Sequence, residues 1–378
     1  MNMFGELTVL HGILDDPLIA AFAQGDRTQF LRLCYARGAE ENFSACLANA
    51  VLYDENAFSR TCAEGKKPSE LVRRAFLADL KIIGQSLAQS RDSAFRIGEA
   101  PLPVGNWDEE SAQRLETYYR QNGCGQWLAH VAFRFSQGEL RPILTPSAVS
   151  LGDLKGYEAE KAAVRDNFEN FVSGLPYSDM LLYGDRGTGK SSTVHAMVNL
   201  YAPRKLRLVE IDKENILSLP ELRSRLAAVP MKFVVFIDDF SLREDDDRVS
   251  TLKAALQGTM EGHAGNVMIV ATSNRRHIVE ESFATRMNSV HAGDSEEELL
   301  SLSDRFGITV LFASTDKREY LAIVHAIADD LGIKTPSEQL DILAEQWALQ
   351  RGGRSPRRAR QFAEYVYSCE CKQKPVEV

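Results

Sequence analysis

The feature that most constrains the fold is a glycine-rich segment between a predicted strand and a predicted helix. The apolar run Met180–Tyr183 favours a β-strand, and Gly184–Ser191, which reads GDRGTGKS, follows it directly. The next residues carry apolar side chains at helical spacing: Val194, Met197, Val198 and Tyr201. Glycines let the backbone curl so that successive N–H groups point inward, and the helix start adds its own N–H groups. The segment therefore predicts a phosphate-binding loop in an α/β fold.

The side chains of this loop suit the phosphates of a nucleotide. We expect Lys190 to neutralise the β- and γ-phosphate oxygens and the Ser191 hydroxyl to ligate Mg²⁺. The residues expected to bind the nucleotide are Gly184, Gly187, Thr188, Gly189, Lys190, Ser191 and Ser192. A chance glycine-rich turn is the alternative, but the strand before the loop and the helix after it argue against that alternative. The predicted ligands are ATP and Mg²⁺.

A second apolar run, Phe233–Ile237, ends in Asp238 and Asp239. Ligands of open α/β sheets lie at the carboxyl ends of the strands, so Asp238 is expected beside the loop as a ligand of Mg²⁺. Asp239 is expected to polarise the attacking water. Glu244 could assist as a second acid, although the acidic run around it also fits a solvated loop.

Two further positions extend the predicted site. The run Val267–Thr272 leads to Asn274, whose amide could orient the attacking water and sense the γ-phosphate; an ordinary turn asparagine is the alternative. Arg305 precedes the last predicted strand and is a candidate to reach the phosphate of another subunit, because a guanidinium stays charged and binds bidentately. An ion pair within its own chain is the alternative, and Arg286 is a weaker candidate for the same role.

A basic segment near the end of the chain, Gly352–Arg360, carries the last candidate. Glycines followed by Pro356 mark a helix start. Arg357, in the first turn, is expected to fold over the nucleotide and contact the γ-phosphate. A basic surface cluster that binds nucleic acid is the alternative.

The pattern of apolar residues changes twice along the chain. Residues 1–145 show helical spacing, including a predicted helix that carries Trp127 and Phe133, and Pro142 and Pro146 then predict an extended linker. Residues 150–315 alternate helices with apolar runs, which predicts a parallel sheet covered on both faces. The runs are Met180–Tyr183, Leu206–Ile211, Phe233–Ile237, Val267–Thr272 and Ile308–Phe312. Residues 316–378 are helical again. We therefore predict a helical adaptor-like domain, an α/β nucleotide-binding domain and a small helical lid.

Composition excludes several classes of protein. The net charge of −9 disfavours a bulk nucleic-acid binder, while leaving room for a local basic patch. No apolar run approaches the roughly 18 residues of a membrane helix, and the first residues lack the pattern of a secretion signal. The six cysteines are scattered, which is typical of reduced thiols, and Cys369 and Cys371 alone make a poor metal site. We expect a cytoplasmic protein without a membrane partner.

Together, the segments GDRGTGKSS, FIDDFSLRE, ATSNRRH, SLSDRFG and GGRSPRRARQF resemble the AAA+ superfamily of P-loop ATPases. More narrowly, residues 150–367 resemble an uncharacterised bacterial family of predicted AAA+ ATPases, known only as a domain of unknown function. The resemblance implies ATP binding, hydrolysis and assembly of identical subunits into a ring or filament. It also implies that Tyr157, in the segment Leu154–Glu158, contacts adenine. Two positions depart from the usual pattern: Asp239 stands where glutamate is common, and Pro356 stands where the family has glycine.

These features leave three hypotheses for the function. The first is an ATPase that remodels or loads an unidentified protein or nucleic-acid partner. The second is an ATP-dependent switch or scaffold with little hydrolysis, which the shorter side chain of Asp239 favours. The third is a kinase-like phosphoryl transferase, which Asn274 and the arginine-bearing lid disfavour.

Overall fold

The computed structural model describes residues 4–40, 42–89, 98–240, 251, 256, 265–274 and 305–377. Contacts between Cα atoms divide the chain into two compact units, Met1–His130 and Val131–Val378. Within the described ranges, none of the helices combines the length and the apolar character that crossing a membrane requires.

The described part of the first unit is helical, as predicted. Its helices are α1 (Pro17–Gln24), α2 (Arg27–Arg37), α3 (Phe43–Tyr53), α4 (Ala57–Ala63), α5 (Glu70–Gln89), α6 (Glu109–Asn122) and α7 (Gln126–Ala129). Polar side chains cap several of these helices, and Asn56 and Ser59 form a capping box at the start of α4. Phe58 stacks on Phe76 with ring centroids 3.9 Å apart. Buried aromatic and aliphatic side chains thus give this unit a core of its own.

The second unit contains a seven-stranded sheet. Its strands are β1 (Ala132–Ser136), β2 (Glu139–Pro142), β3 (Met180–Gly184), β4 (Leu206–Ile211), β5 (Lys232–Ile237), β6 (Val267–Ser273) and β7 (Ile308–Phe312). The strand order is β2-β1-β4-β5-β6-β3-β7. Among the strand pairs of the described residues, β1–β2 is antiparallel and the others are parallel. All five strands predicted from apolar runs are present, and the predicted α/β class is confirmed.

The strands β1 and β2 were not predicted. Phe133, which we placed on a helix with Trp127, lies in β1, and Pro142, which we placed in a linker, ends β2. Phe133 and Phe135 are buried while Arg134 between them is exposed. This period of two is a strand pattern, but five residues are too few to distinguish it from a helix end. Pairing of β1 with the buried strand β4 decides the outcome.

Helices cover the sheet and form the predicted lid. The helices α8 (Glu158–Ser173) and α9 (Lys190–Tyr201) pack their apolar sides on one face of the sheet, and α10 (Leu219–Ala227) follows β4. After β7, the chain forms α11 (Lys317–Leu331), α12 (Ser337–Gln350) and α13 (Pro356–Cys371). These three helices share a separate core around Tyr320, Trp347 and Phe362. The small C-terminal helical lid is therefore confirmed.

The parallel strands bring three predicted motifs to one edge of the sheet. The strands β5, β6 and β3 are neighbours in that order. Their carboxyl ends lead to Asp238, Asn274 and the loop after Gly184 respectively. Residues far apart in the sequence therefore meet where open α/β sheets bind ligands.

Candidate functional site

The loop between β3 and α9 depends on its glycines. Gly184, Gly187 and Gly189 have φ angles of 124°, 80° and 97°, values that side chains disfavour. At Gly184, a Cβ atom would lie 2.1 Å from the carbonyl oxygen of Phe312 in β7. The neighbouring amide of Asp185 donates to that same oxygen at 3.2 Å. Only glycine allows β3 to turn into the loop while it stays paired with β7.

The curled loop leaves backbone donors available at the start of α9. Among the described residues, none accepts a hydrogen bond from the backbone N–H groups of Gly187, Thr188 or Gly189. The Thr188 hydroxyl donates to the carbonyl of Asp185 at 2.9 Å and closes the loop on itself. Unpaired N–H groups at a helix N-terminus form an anion site. The loop therefore fits phosphate.

Lys190 is buried beneath the loop, with 5% of its surface exposed. Its Nζ donates to the carbonyl oxygens of Gly184 at 2.9 Å and Asp185 at 2.6 Å. Burial lowers the pKa of Lys190 to about 8, although nearby carboxylates, Asp185 first, favour its charged form. A bound phosphate would add negative charge and restore the ammonium form.

This lowered pKa predicts that nucleotide binding depends on pH. Above pH 8 the free protein loses the Lys190 proton, so binding requires proton uptake, and affinity should fall by up to about tenfold per pH unit. The ligand-free fold should respond in the opposite sense, because between pH 8 and 10.5 the unfolded chain binds more protons and stability rises with pH. Calorimetry in buffers of different ionisation enthalpy measures the proton uptake, which Lys190→Ala should abolish. Equal uptake in both proteins would contradict the assignment.

The carboxylate of Asp238 faces the start of α9. Its Oδ1 accepts hydrogen bonds from the Ser191 hydroxyl at 2.6 Å and from the Thr272 hydroxyl at 2.5 Å. The structure thus brings together the two predicted ligands of Mg²⁺, a carboxylate and a hydroxyl. Hard oxygen donors of this kind, with phosphate oxygens and water, are what Mg²⁺ takes in such sites.

Asp239 lies beside Asn274, because both residues follow the carboxyl ends of neighbouring parallel strands. The Asn274 amide donates to Oδ1 of Asp239 at 2.6 Å, and the Lys213 ammonium lies 3.8 Å from Oδ2. Asp239 has a φ angle of 48°, in the left-handed region, and its side chain is 53% exposed. Its carboxylate is therefore held in place yet accessible to a water molecule.

The helical lid contacts the loop directly. The backbone N–H of Arg357 donates to the carbonyl of Gly187 at 3.1 Å, which places the start of α13 over the loop. A cavity of 220 Å³ lies between the lid and the sheet, and its lining includes Tyr157, Thr188, Ser192 and Arg357. Tyr157 also packs on the ring of Phe312, with centroids 5.3 Å apart. The predicted adenine contact and the lid arginine thus line the same space.

Arg305 is not brought to this edge. It lines a different cavity, of 520 Å³, with Asp179, Lys232 and Gly307, which precede or begin β3, β5 and β7. These residues lie at the amino ends of the strands, opposite the loop. In the described part of the chain no carboxylate forms an ion pair with Arg305. The remaining candidates, Glu244 and Arg286, lie outside the described residues.

Three residues around the site were not singled out by the sequence. Thr272 ends an otherwise apolar run, and a hydroxyl at the end of a buried strand is the sequence feature that could have identified it. Lys213 follows β4, and its approach to Asp239 depends on the pairing of β4 with β5. Arg360 donates to the carbonyl of Asp153 and lines the same cavity as Tyr157 and Arg357.

The second unit combines a mostly parallel sheet, a glycine loop between β3 and α9, two acids after β5, which β6 separates from β3, and a C-terminal helical lid. This is the fold of a P-loop NTPase of the AAA+ type. The family described as "Protein of unknown function (DUF815)" matches residues 128–370, well over half of the chain. The chain belongs to the DUF815 family. The region matched to DUF815 begins just before β1 and ends within α13, so it contains the sheet and the lid. A comparison with curated proteins gave no match.

Solved structures with a similar fold include two AAA+ proteins. The Holliday junction branch migration motor RuvB of Thermotoga maritima is 17% identical, with a TM-score of 0.41 over 60% of this chain and 66% of that chain. The ORC1 protein of Aeropyrum pernix, solved in complex with DNA, is 15% identical, with a TM-score of 0.43 over 59% of this chain and 63% of that chain. Each alignment spans less than two thirds of the neighbour's length. At these values the similarity says nothing about ligands or partners of the DUF815 chain.

Proposed function

We propose that this protein is an Mg²⁺-dependent ATPase that couples hydrolysis to the remodelling or loading of a macromolecular partner. The observation that carries the proposal is the meeting of a phosphate-binding loop, a metal-binding pair and a held but accessible carboxylate at one edge of the sheet. The lysine of the loop interacts electrostatically with both Asp238 and Asp239, which supports their action on one ligand.

The binding roles follow from the contacts. The unpaired N–H groups of the loop and Lys190 would hold the β- and γ-phosphates, and Arg357 would reach the γ-phosphate from the lid. Ser191 and Asp238 would hold Mg²⁺, which supplies neutralisation of the charge on the phosphate oxygens. Within the described residues no cluster of three or more His, Cys, Asp or Glu side chains exists, and an Mg²⁺ site completed by phosphates needs none.

The catalytic roles concern the attacking water. Asp239 would accept a hydrogen bond from that water and draw its proton away as the bond to phosphorus forms. Asn274, bound to Asp239 at 2.6 Å, would fix the direction of the carboxylate. Positioning of this kind supplies most of the catalysis in phosphoryl transfer.

Turnover of ATP by the purified protein tests the proposal. Lys190→Ala should lower turnover on the order of 10²-fold or more, because it removes the buried ammonium group that would neutralise the phosphates bound by the loop. Lys81→Ala, which removes an exposed lysine from α5, is the matched control and should behave as wild type. If wild type and Lys190→Ala hydrolyse ATP at the same rate, the protein is not an ATPase of this kind.

A second candidate function is an ATP-dependent switch with little hydrolysis. The observation in its favour is that the short carboxylate of Asp239 is already engaged by Asn274, with Lys213 nearby. A water molecule would have to compete with these partners. Tight ATP binding with negligible turnover in wild type would support the switch.

We also propose that identical subunits assemble so that Arg305 completes a neighbour's site. Arg305 lies beyond the amino end of β7, and a five-residue strand spans about 16 Å, so this arginine cannot reach the loop of its own subunit. Arg305→Ala should therefore bind ATP with unchanged affinity and lose turnover, by on the order of 10³-fold. Equal loss of ATP binding would place the arginine in its own subunit's site.

Mixing of two inactive proteins gives a sharper version of this test. Arg305→Ala subunits keep an intact loop and acids, whereas Asp239→Asn subunits keep the arginine. In a head-to-tail assembly of equal parts, about one quarter of the interfaces would join an intact site to an intact arginine. Recovery of turnover on mixing is the expected result, and absence of recovery would contradict action across the interface.

A further inference from the structure

One threonine contacts three consecutive residues at the carboxyl end of β5. The Thr272 hydroxyl donates to Oδ1 of Asp238 at 2.5 Å and accepts from the backbone N–H of Asp239 at 2.9 Å. The Thr272 carbonyl accepts from the backbone N–H of Phe240 at 2.6 Å. The register explains the meeting: Ile237 pairs with Ala271, so the next positions, Asp238 and Thr272, lie side by side.

These bonds stabilise an unfavourable backbone conformation. Asp239 has a φ angle of 48°, which non-glycine residues adopt only where their surroundings impose it. Thr272 holds the N–H of Asp239 on one side of this turn and the N–H of Phe240 on the other. The turn directs the carboxylate of Asp239 toward Asn274, 2.6 Å away. Thr272 thus orients both acids, the one predicted to hold Mg²⁺ and the one predicted to act on water.

We infer that Thr272 is a positioning residue for the Mg²⁺ site, an inference that rests on the proposed function. In the structure, Oδ1 of Asp238 accepts from both Ser191 and Thr272. If the Ser191 hydroxyl were to ligate Mg²⁺, Thr272 would remain as the donor that fixes Asp238. Thr272 is 2% exposed, so water does not compete for this bond, and a bond to an ionised carboxylate is stronger than one between neutral groups.

The neighbouring residues of β6 cannot take over this role. Side chains alternate between the two faces of a strand, so Ala271 and Ser273 point away from the face that Thr272 uses. The hydroxyl at position 272 is therefore specific to the site.

The test compares ATP affinity with and without Mg²⁺ by titration calorimetry in three variants. Thr272→Val keeps the branched shape and removes the hydroxyl, whereas Thr272→Ser keeps the hydroxyl. Thr61→Val removes a hydroxyl that donates to the carbonyl of Ala57 at 2.7 Å in α4, and controls for the loss of any such bond. Thr272→Val should lose about tenfold of the Mg²⁺-dependent gain in affinity, as outer partners of metal ligands do. Its affinity without Mg²⁺, and both affinities of the other two variants, should stay within about threefold of wild type.

Several results would overturn the inference. One is a full Mg²⁺-dependent gain in Thr272→Val, and another is an equal loss in Thr272→Ser. A parallel loss of the Mg²⁺-free affinity would show a structural role only, and a wild type with no gain at all would leave no Mg²⁺ site to position. Because the readout is binding, absent turnover in wild type would refute the proposed ATPase while leaving this inference standing.

Discussion

Gly184→Ala is expected to lower the thermal midpoint of the second unit by about 10 °C and to weaken ATP binding strongly. The added Cβ would lie 2.1 Å from the carbonyl oxygen of Phe312 and 2.7 Å from its carbonyl carbon. Both are backbone atoms of β7, so no side-chain rotation relieves the clash. The φ angle of 124° adds further strain for alanine.

The relief of this clash would disturb the site itself. To make room, β7 must move away from β3, which breaks the bond from the Asp185 amide to the Phe312 carbonyl. The loop would then lose the anchor that places the carbonyls of Gly184 and Asp185 under the Lys190 ammonium. Both the stability of the fold and the affinity for nucleotide should therefore fall. The expected loss of stability is larger than the roughly 1–3 kcal/mol that backbone strain alone would cause.

Gly265→Ala is the matched control for this experiment. A Cβ at Gly265 would meet no atom within 4 Å, and its backbone is not in the left-handed region. Circular dichroism melts and ATP titrations of both variants measure the difference. If Gly184→Ala melts and binds ATP as Gly265→Ala does, the close pairing of β3 and β7 is not what demands glycine.

The parts of the site that could be predicted from the sequence are those built by local chemistry. The loop Gly184–Ser191 is one continuous segment, so its glycines, lysine and serine are visible together. Asp238 and Asn274 could be predicted because both follow long apolar strands, and the carboxyl ends of parallel strands share an edge. The contacts of Asp238 with Ser191 and of Asn274 with Asp239 are consistent with that shared edge.

The parts that could not be predicted depend on which strands are neighbours. The approach of Lys213 to Asp239, and of Thr272 to Asp238, follows from the order β4-β5-β6. No local pattern encodes that order, because each strand is compatible with several partners. The same limit applies to β1, whose short alternation of Phe133, Arg134 and Phe135 becomes meaningful only when β4 lies beside it.

Asp239→Asn is expected to lower ATP turnover by about 10²- to 10³-fold while ATP affinity stays within about threefold of wild type. Asparagine has the same shape, so the left-handed turn and the bonds from Thr272 can persist. The substitution removes the negative charge that would accept a proton from water. A fall in turnover without a fall in affinity is the signature of a group that acts only in the chemical step.

Two further variants separate this effect from a general change of charge. Asp212→Asn removes an exposed carboxylate after β4, at the same edge of the sheet, and should leave turnover unchanged. Asp239→Glu adds one methylene group to the carboxylate that acts on water, and it should keep turnover well above that of Asp239→Asn. An active Asp239→Asn protein would show that another group activates the water.

The same measurement decides between the two candidate functions. If wild type is slow and Asp239→Asn equals it, the carboxylate does no chemistry, and its bond to Asn274 holds it in a nucleotide-dependent switch. In that case Asp239→Glu is expected to raise turnover, because the longer side chain could extend beyond Asn274 and Lys213 and reach the water. A gain of turnover in Asp239→Glu over a slow wild type would mean that the single missing methylene group, rather than the loop or the lid, keeps this site from acting as a motor.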